Sequence, residues 1–152
     1  MQFVDLLIDR GFATGACRYE EAYPGYEQAP RVVIPVLVEG QLIVPAIVDT
    51  GAPWCILDPE IAEAVGIQPR AGYRTETLLF HWTRYEGGLH RMRIGLFAEK
   101  GVDLEIEATV FVPILRPGDS WMSPNFLGLS GLLERTRFAV DPSDNAFYFG
   151  LI

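Results

Sequence analysis

Two β-branched runs, Val32-Val33-Ile34-Pro35-Val36-Leu37-Val38 and Leu42-Ile43-Val44-Pro45-Ala46-Ile47-Val48, flank the short spacer Glu39-Gly40-Gln41. This arrangement constrains the fold more than any other stretch of the chain. Branched side chains favour extended backbone, and a polar spacer containing glycine permits a tight reversal, so the segment predicts a β-hairpin. Pro35 and Pro45 lack ladder donors and are expected at positions facing an edge or a bulge. The second run leads directly into Asp49-Thr50-Gly51-Ala52, which puts a carboxylate and a hydroxyl at a turn held by the preceding strand. Thr50 can donate its hydroxyl to a nearby backbone carbonyl and lock the turn. Gly51 permits an unusual dihedral and a close approach between loops, and Ala52 is small enough for another chain to pass. A carboxylate so placed can activate water with a partner of the same kind, but the chain has no second copy of the motif.

Downstream, Asp58-Pro59-Glu60-Ile61-Ala62-Glu63-Ala64-Val65-Gly66 predicts a short helix. Asp58 is its cap, Pro59 suits the first position, Glu60 matches the positive end of the dipole and Gly66 is a stop. Ile61, Ala62, Val65 and Ile67 form its packing stripe. Thr75 to Leu96 alternates loosely around a turn-prone Gly87-Gly88. Further strands are expected at Leu104 to Val112, Arg137 to Val140 and Ala146 to Phe149, while the proline-rich stretch from Pro113 to Pro124 predicts a long loop. Near the start, Phe3 to Ile8 suits a strand or a helical turn, and Gly15 to Pro30 reads as an irregular arm. The expected organisation is an N-terminal strand and arm over residues 1–30, then one domain over 31–152, all-β with one or two short helices.

The 152 residues include twelve Lys and Arg against twenty Asp and Glu, a formal charge of -8, which disfavours a nucleic-acid partner. A local basic patch around Arg91 and Arg93 stays open. The N-terminal segment lacks the pattern of a secretory signal, and nowhere do eighteen apolar residues run together, so the expectation is a cytoplasmic protein without a membrane partner. Cys17 and Cys55 have no metal-like spacing and are expected as buried thiols, with a disulfide left open. His81 and His90 have no accompanying ligand cluster. No metal or other cofactor is expected.

The chain resembles the retropepsin-like aspartic proteases, including their bacterial single-domain relatives. Three segments carry the resemblance: the hairpin into Val48-Asp49-Thr50-Gly51-Ala52, the run Asn125-Phe126-Leu127-Gly128-Leu129-Ser130-Gly131-Leu132-Leu133, and Phe138-Ala139-Val140-Asp141-Pro142. It implies a single-domain acid-protease β-barrel, with Leu127-Gly128 packed behind the Asp49 loop and a short helix following. It further implies an aspartic-type endopeptidase acting as a homodimer on an extended peptide or protein. Asp49, Thr50 and Gly51 would form the catalytic loop. Ala52, Phe80, Trp82 and Tyr85 would bind substrate, the three aromatic residues lying in the flap segment Thr77 to Gly88. Two departures stand out. Where retroviral members place an Arg and an Asp as an ion pair, this chain has Leu129 and Pro53, with Trp54 available to fill volume. The flap segment is also bulkier than a small glycine-rich one. The apolar end Phe147 to Ile152 is a candidate interchain strand, or it pairs with Phe3 to Ile8 within one subunit. These departures motivate an alternative, a non-proteolytic dimeric peptide-binding or scaffold module of the same fold. A small barrel carrying an apolar ligand leaves Asp49 unexplained.

Overall fold

In the computed structural model, residues 8, 10–26 and 31–152 are described. The predicted hairpin is formed by β2, Val33–Val38, and β3, Leu42–Val48, in a register running from Val33 opposite Ile47 to Val38 opposite Leu42. Glu39 and Gly40 both adopt positive φ at the reversal, and the Gln41 N–H closes it on the Val38 carbonyl at 2.9 Å. Pro35 lies directly opposite Pro45, so the two missing donors face each other at one rung. The Pro45 carbonyl points instead to Tyr23 and Asn125.

Nine further strands follow the same physical logic. They are β1 (Gly15–Arg18), β4 (Cys55–Ile56), β5 (Arg74–Phe80), β6 (Thr83–Leu96), β7 (Lys100–Gly101), β8 (Leu104–Pro113), β9 (Phe126–Leu127), β10 (Thr136–Asp141) and β11 (Ala146–Leu151). The order β2-β3-β9-β4-β8-β6 closes through pairing of β6 with β2, giving a six-stranded barrel, and β5 extends it as the outer arm of a hairpin with β6. Closure removes the sheet edges that an open arrangement would leave. The expected parity of β8 is realised, with Leu104, Ile106, Ala108 and Val110 all buried.

One short α-helix, α1 (Pro59–Ala64), lies within the described residues, and single 3-10 turns occur at Pro69–Ala71 and Leu133–Arg135. The Asp58 carboxylate accepts from the Glu60 N–H at 2.8 Å, and Gly66 leaves the helix at φ 88°. Ala62 and Val65 enter the core, with Ile61 and Ile67 packed at its margin. Beyond Gly128 the expected second helix amounts only to the turn at Leu133–Arg135. Residues 114–125 contain no strand, as the prolines predicted.

A second sheet, ordered β10-β11-β1-β7, corrects two expectations. Gly15 to Arg18, placed by composition in an irregular arm, is a strand, with Gly15, Ala16 and Cys17 buried. It lacks β-branched residues, and its extended form is imposed by its partner β11. β11 therefore has β10 on one side and β1 on the other within the same chain. Of the two placements open for Phe147 to Ile152, an interchain strand or a pairing within one subunit, the stretch as far as Phe149 is paired within this chain, by β1. The Phe3 to Ile8 segment lies, except for Ile8, outside the described residues.

Gly87-Gly88 does not form a turn. Both lie inside β6, and the chain reverses at His81-Trp82, which adopt φ 48° and 64°. The glycines serve proximity: a Cβ on Gly87 would overlap the Phe111 ring, and one on Gly88 would overlap the Pro69 carbonyl.

Candidate active site

Asp49 is the first residue after β3, and its backbone is fixed from behind. β9 runs parallel to β3, pairing Ile47 with Phe126 and Val48 with Leu127, and the Asp49 N–H donates to the Leu127 carbonyl at 3.0 Å. The loop then folds onto its own carboxylate. The Gly51 N–H donates to Asp49 Oδ1 at 2.8 Å, and the Ala52 N–H donates to the Asp49 carbonyl at 3.2 Å. Gly51 is not in the left-handed region, contrary to expectation. Its Cβ would stand 3.1 Å from Asp49 Oδ1, so the missing side chain keeps space beside the carboxylate. Thr50 is exposed and makes no hydroxyl hydrogen bond among the described residues, so it does not lock the turn within this chain. Ala52 is buried beneath the loop.

Gly128 brings the second loop against the first. A Cβ there would overlap the Trp54 carbonyl and crowd the Ala52 carbonyl. In the space so gained, the Leu129 N–H donates to the Ala52 carbonyl at 2.7 Å and the Gly131 N–H to the Pro53 carbonyl at 3.0 Å. Backbone bonds thus join the two short segments that hold Pro53 and Leu129, where an ion pair is missing. Trp54 stacks on Phe111, with ring centroids 5.9 Å apart and planes within 8°.

The aromatic candidates separate into two groups. Phe80 lies 5.3 Å from Phe126 and 5.8 Å from Trp121, and Tyr85 lies 5.2 Å from Trp121 in an edge-to-face arrangement, all centroid distances. Ile47, Ile56 and Phe126 form the floor beneath them. Trp82, by contrast, is 95% exposed at the hairpin tip and joins no part of this cluster. The hairpin therefore covers the face of β3 and β9 that ends at Asp49.

The profile of the family described as aspartyl protease matches residues 34–130, a span holding both Asp49 and Gly128. The chain belongs to the aspartyl protease family. Among solved structures it is similar to a retropepsin-like aspartic protease from Rickettsia conorii, 20% identical with a TM-score of 0.58, covering 89% of this chain and 98% of that one. It is also similar to the retroviral protease-like domain of Ddi1 from Leishmania major, 17% identical with a TM-score of 0.51, covering 82% and 96% respectively. These likenesses establish the retropepsin-like fold. No curated protein matches the chain.

Three residues of this aspartyl protease family member shape the site in roles that the sequence reading did not assign. Asn125, only 3% exposed, accepts from the Asp58 N–H through Oδ1 at 2.9 Å and donates from Nδ2 to the Pro45 carbonyl at 3.1 Å. It thereby ties the start of β9 to β3 and to the cap of α1, with the Tyr23 hydroxyl as a third partner at 3.2 Å. Trp121 and Phe126 complete the aromatic cluster. A tryptophan inside a proline-rich loop was the available sign that this loop is anchored to the core.

Burial raises the Asp58 carboxyl above its ordinary value, partly offset by the Glu60 N–H. Burial pushes Cys17 up to about 12, with Glu99 adding to it. It also pushes Cys55 up to about 12, against the Gly128 N–H and Arg135. Both thiols are free and buried. Arg93 pairs with Glu39 at 3.4 Å and Arg91 lies over the Tyr73 ring at 5.5 Å, so neither is an isolated basic group. Among the described residues no cluster of His, Cys, Asp and Glu is placed to hold a metal, and no helix is long and apolar enough to cross a membrane.

Proposed function

We propose that the protein is an aspartic endopeptidase in which two copies of Asp49, one per subunit of a homodimer, activate a water molecule. The observation that carries this reading is the Asp49 loop, whose carboxylate is oriented by the Gly51 N–H at a strand end braced by Leu127 and Gly128. With Oδ1 so engaged, Oδ2 is left for water and for the partner carboxylate. Two carboxylates at such close range cannot both ionise comfortably, so the pair shares one proton; aspartic proteases are the general illustration of this behaviour. The ionised member takes a proton from water as it attacks the peptide carbon. The protonated member polarises the carbonyl oxygen and later a proton reaches the leaving nitrogen, with no acyl-enzyme formed.

Substrate in this reading lies extended beneath the β5–β6 hairpin, bonded through its backbone with side chains alternating between pockets. Phe80 and Tyr85 would offer apolar contacts, Ala52 a close approach, and Trp82 a contact from the tip. The exposed hydroxyl of Thr50 suits a residue that meets a partner across the dimer. Cytoplasmic action without membrane or nucleic-acid partners belongs to the same proposal.

One observation favours the scaffold alternative: Phe80 and Tyr85 already pack within the protein's own aromatic cluster. The two readings part on cleavage of an unbiased peptide library from about pH 4 to pH 7, the range where one proton can be shared. The protease reading expects cleavage by the native protein and none by Asp49→Asn. Equal silence, or equal activity, in both proteins would reject it.

A further inference from the structure

We propose that the cavity between α1, the Pro69–Ala71 turn and the loop from Pro113 to Trp121 receives the basic side chain of a polypeptide, arginine or lysine. Its volume is about 300 Å³, at the small end of ligand sites and suited to one long side chain. Glu60 and Glu63, one helical turn apart on α1, face it together with Asp119 from the loop. None of the three forms an ion pair among the described residues, where the pairs found are Arg74 with Glu76 and Arg93 with Glu39. Arg70 is the one cation on the lining, so the wall is left with an excess of negative charge.

The remaining wall suits an organic cation better than a metal. Pro69, Pro113 and Trp121 supply apolar surface along which a methylene stem can lie while its charged end meets the carboxylates. The carboxylates are not grouped as metal ligands would be. Trp121 lines one side of the cavity and is 8% exposed, its indole N–H closed to solvent without an acceptor. The peptide residue meets the apolar face of this wall with its stem and the carboxylates with its charged end. Trp121 also touches Phe80 and Tyr85, so an occupant on one side of the indole alters packing under the hairpin. That last link, selection of basic substrates, rests on the protease reading; the binding of the cation does not.

The test follows indole N–H signals of the Asp49→Asn protein by NMR during titration with Nα-acetyl-arginine methylamide. The Trp121 signal is assigned by elimination with Trp54→Phe and Trp82→Phe. Its neutral isostere, Nα-acetyl-citrulline methylamide, is titrated in parallel. We expect a saturable shift of the Trp121 signal with the arginine probe and about threefold or more weaker binding of the citrulline probe, since the distinction is one charge facing exposed carboxylates. Glu60→Gln and Glu63→Gln should each weaken the arginine probe several-fold, and Arg70→Ala should tighten it. No saturable shift, equal binding of both probes, or indifference to both glutamate substitutions would overturn the proposal. Probe binding by a protein that cleaves no library peptide would sustain the cavity and reject the protease. Cleavage without probe binding would do the reverse.

Discussion

At the scale of single residues, the site depends on side chains that are absent. Gly128 stands where a methyl group would meet two backbone carbonyls, Trp54 and Ala52, neither of which can rotate away. Gly128→Ala should therefore lose about 4 kcal/mol or more of unfolding free energy, or fail to fold, as measured by urea denaturation. Asp58 tests a different force. Asp58→Ala removes the bond to the Glu60 N–H and should cost about 1 kcal/mol, whereas Asp58→Asn retains a cap. Burial raises the Asp58 carboxyl above 3.8, so the folded state holds its proton where the unfolded chain has released it. This group's contribution to stability consequently falls as pH rises from just below 3.8 through its folded value, and Asp58→Asn should remove that slope. The two thiols, pushed up to about 12, should resist a thiol reagent at neutral pH and react fully in denaturant. The α1 cap was legible because it depends on a neighbour two positions away. Asn125 was not, because its partners Asp58, Pro45 and Tyr23 converge from distant segments.

At the scale of elements, the two hairpins show when composition suffices. Between β2 and β3 the glycine, the spacer and the branched runs all indicate one reversal, and it forms there. Between β5 and β6 the paired glycines pointed to the wrong place, because glycine also serves close packing, here against Phe111 and Pro69. The actual reversal uses two residues with side chains in the left-handed region, an arrangement composition does not announce. Trp82→Gly should relax that backbone and raise stability by about 0.5–1 kcal/mol in thermal or urea unfolding. If the exposed indole contacts substrate or partner as proposed, the same substitution lowers kcat/KM against a cleavable peptide. A variant both less stable and fully active would contradict both statements.

At the scale of the whole molecule, the barrel was readable from strand patterning and family resemblance, but the second sheet was not. β1 and β11 come from opposite ends of the chain, and local periodicity carries no record of such a pairing. Their union decides how assembly is tested. Both sides of β11 are occupied within the chain, so the proposed dimer does not need this strand, while one chain still supplies only one Asp49. On the proposed dimeric protease, specific activity should fall on dilution, with dimer mass in sedimentation falling in parallel. The melting temperature should fall with the dimer and then level off at the value of the separate protomer, unlike that of an obligate dimer, which keeps falling on dilution. A sheet finished within one chain also separates two histories. If the proposed dimer forms, the exposed side chains of Thr50, Pro53 and Leu129 can change without endangering the fold, so descendants of this chain would be free to change partners, or to give up pairing, while remaining intact proteins.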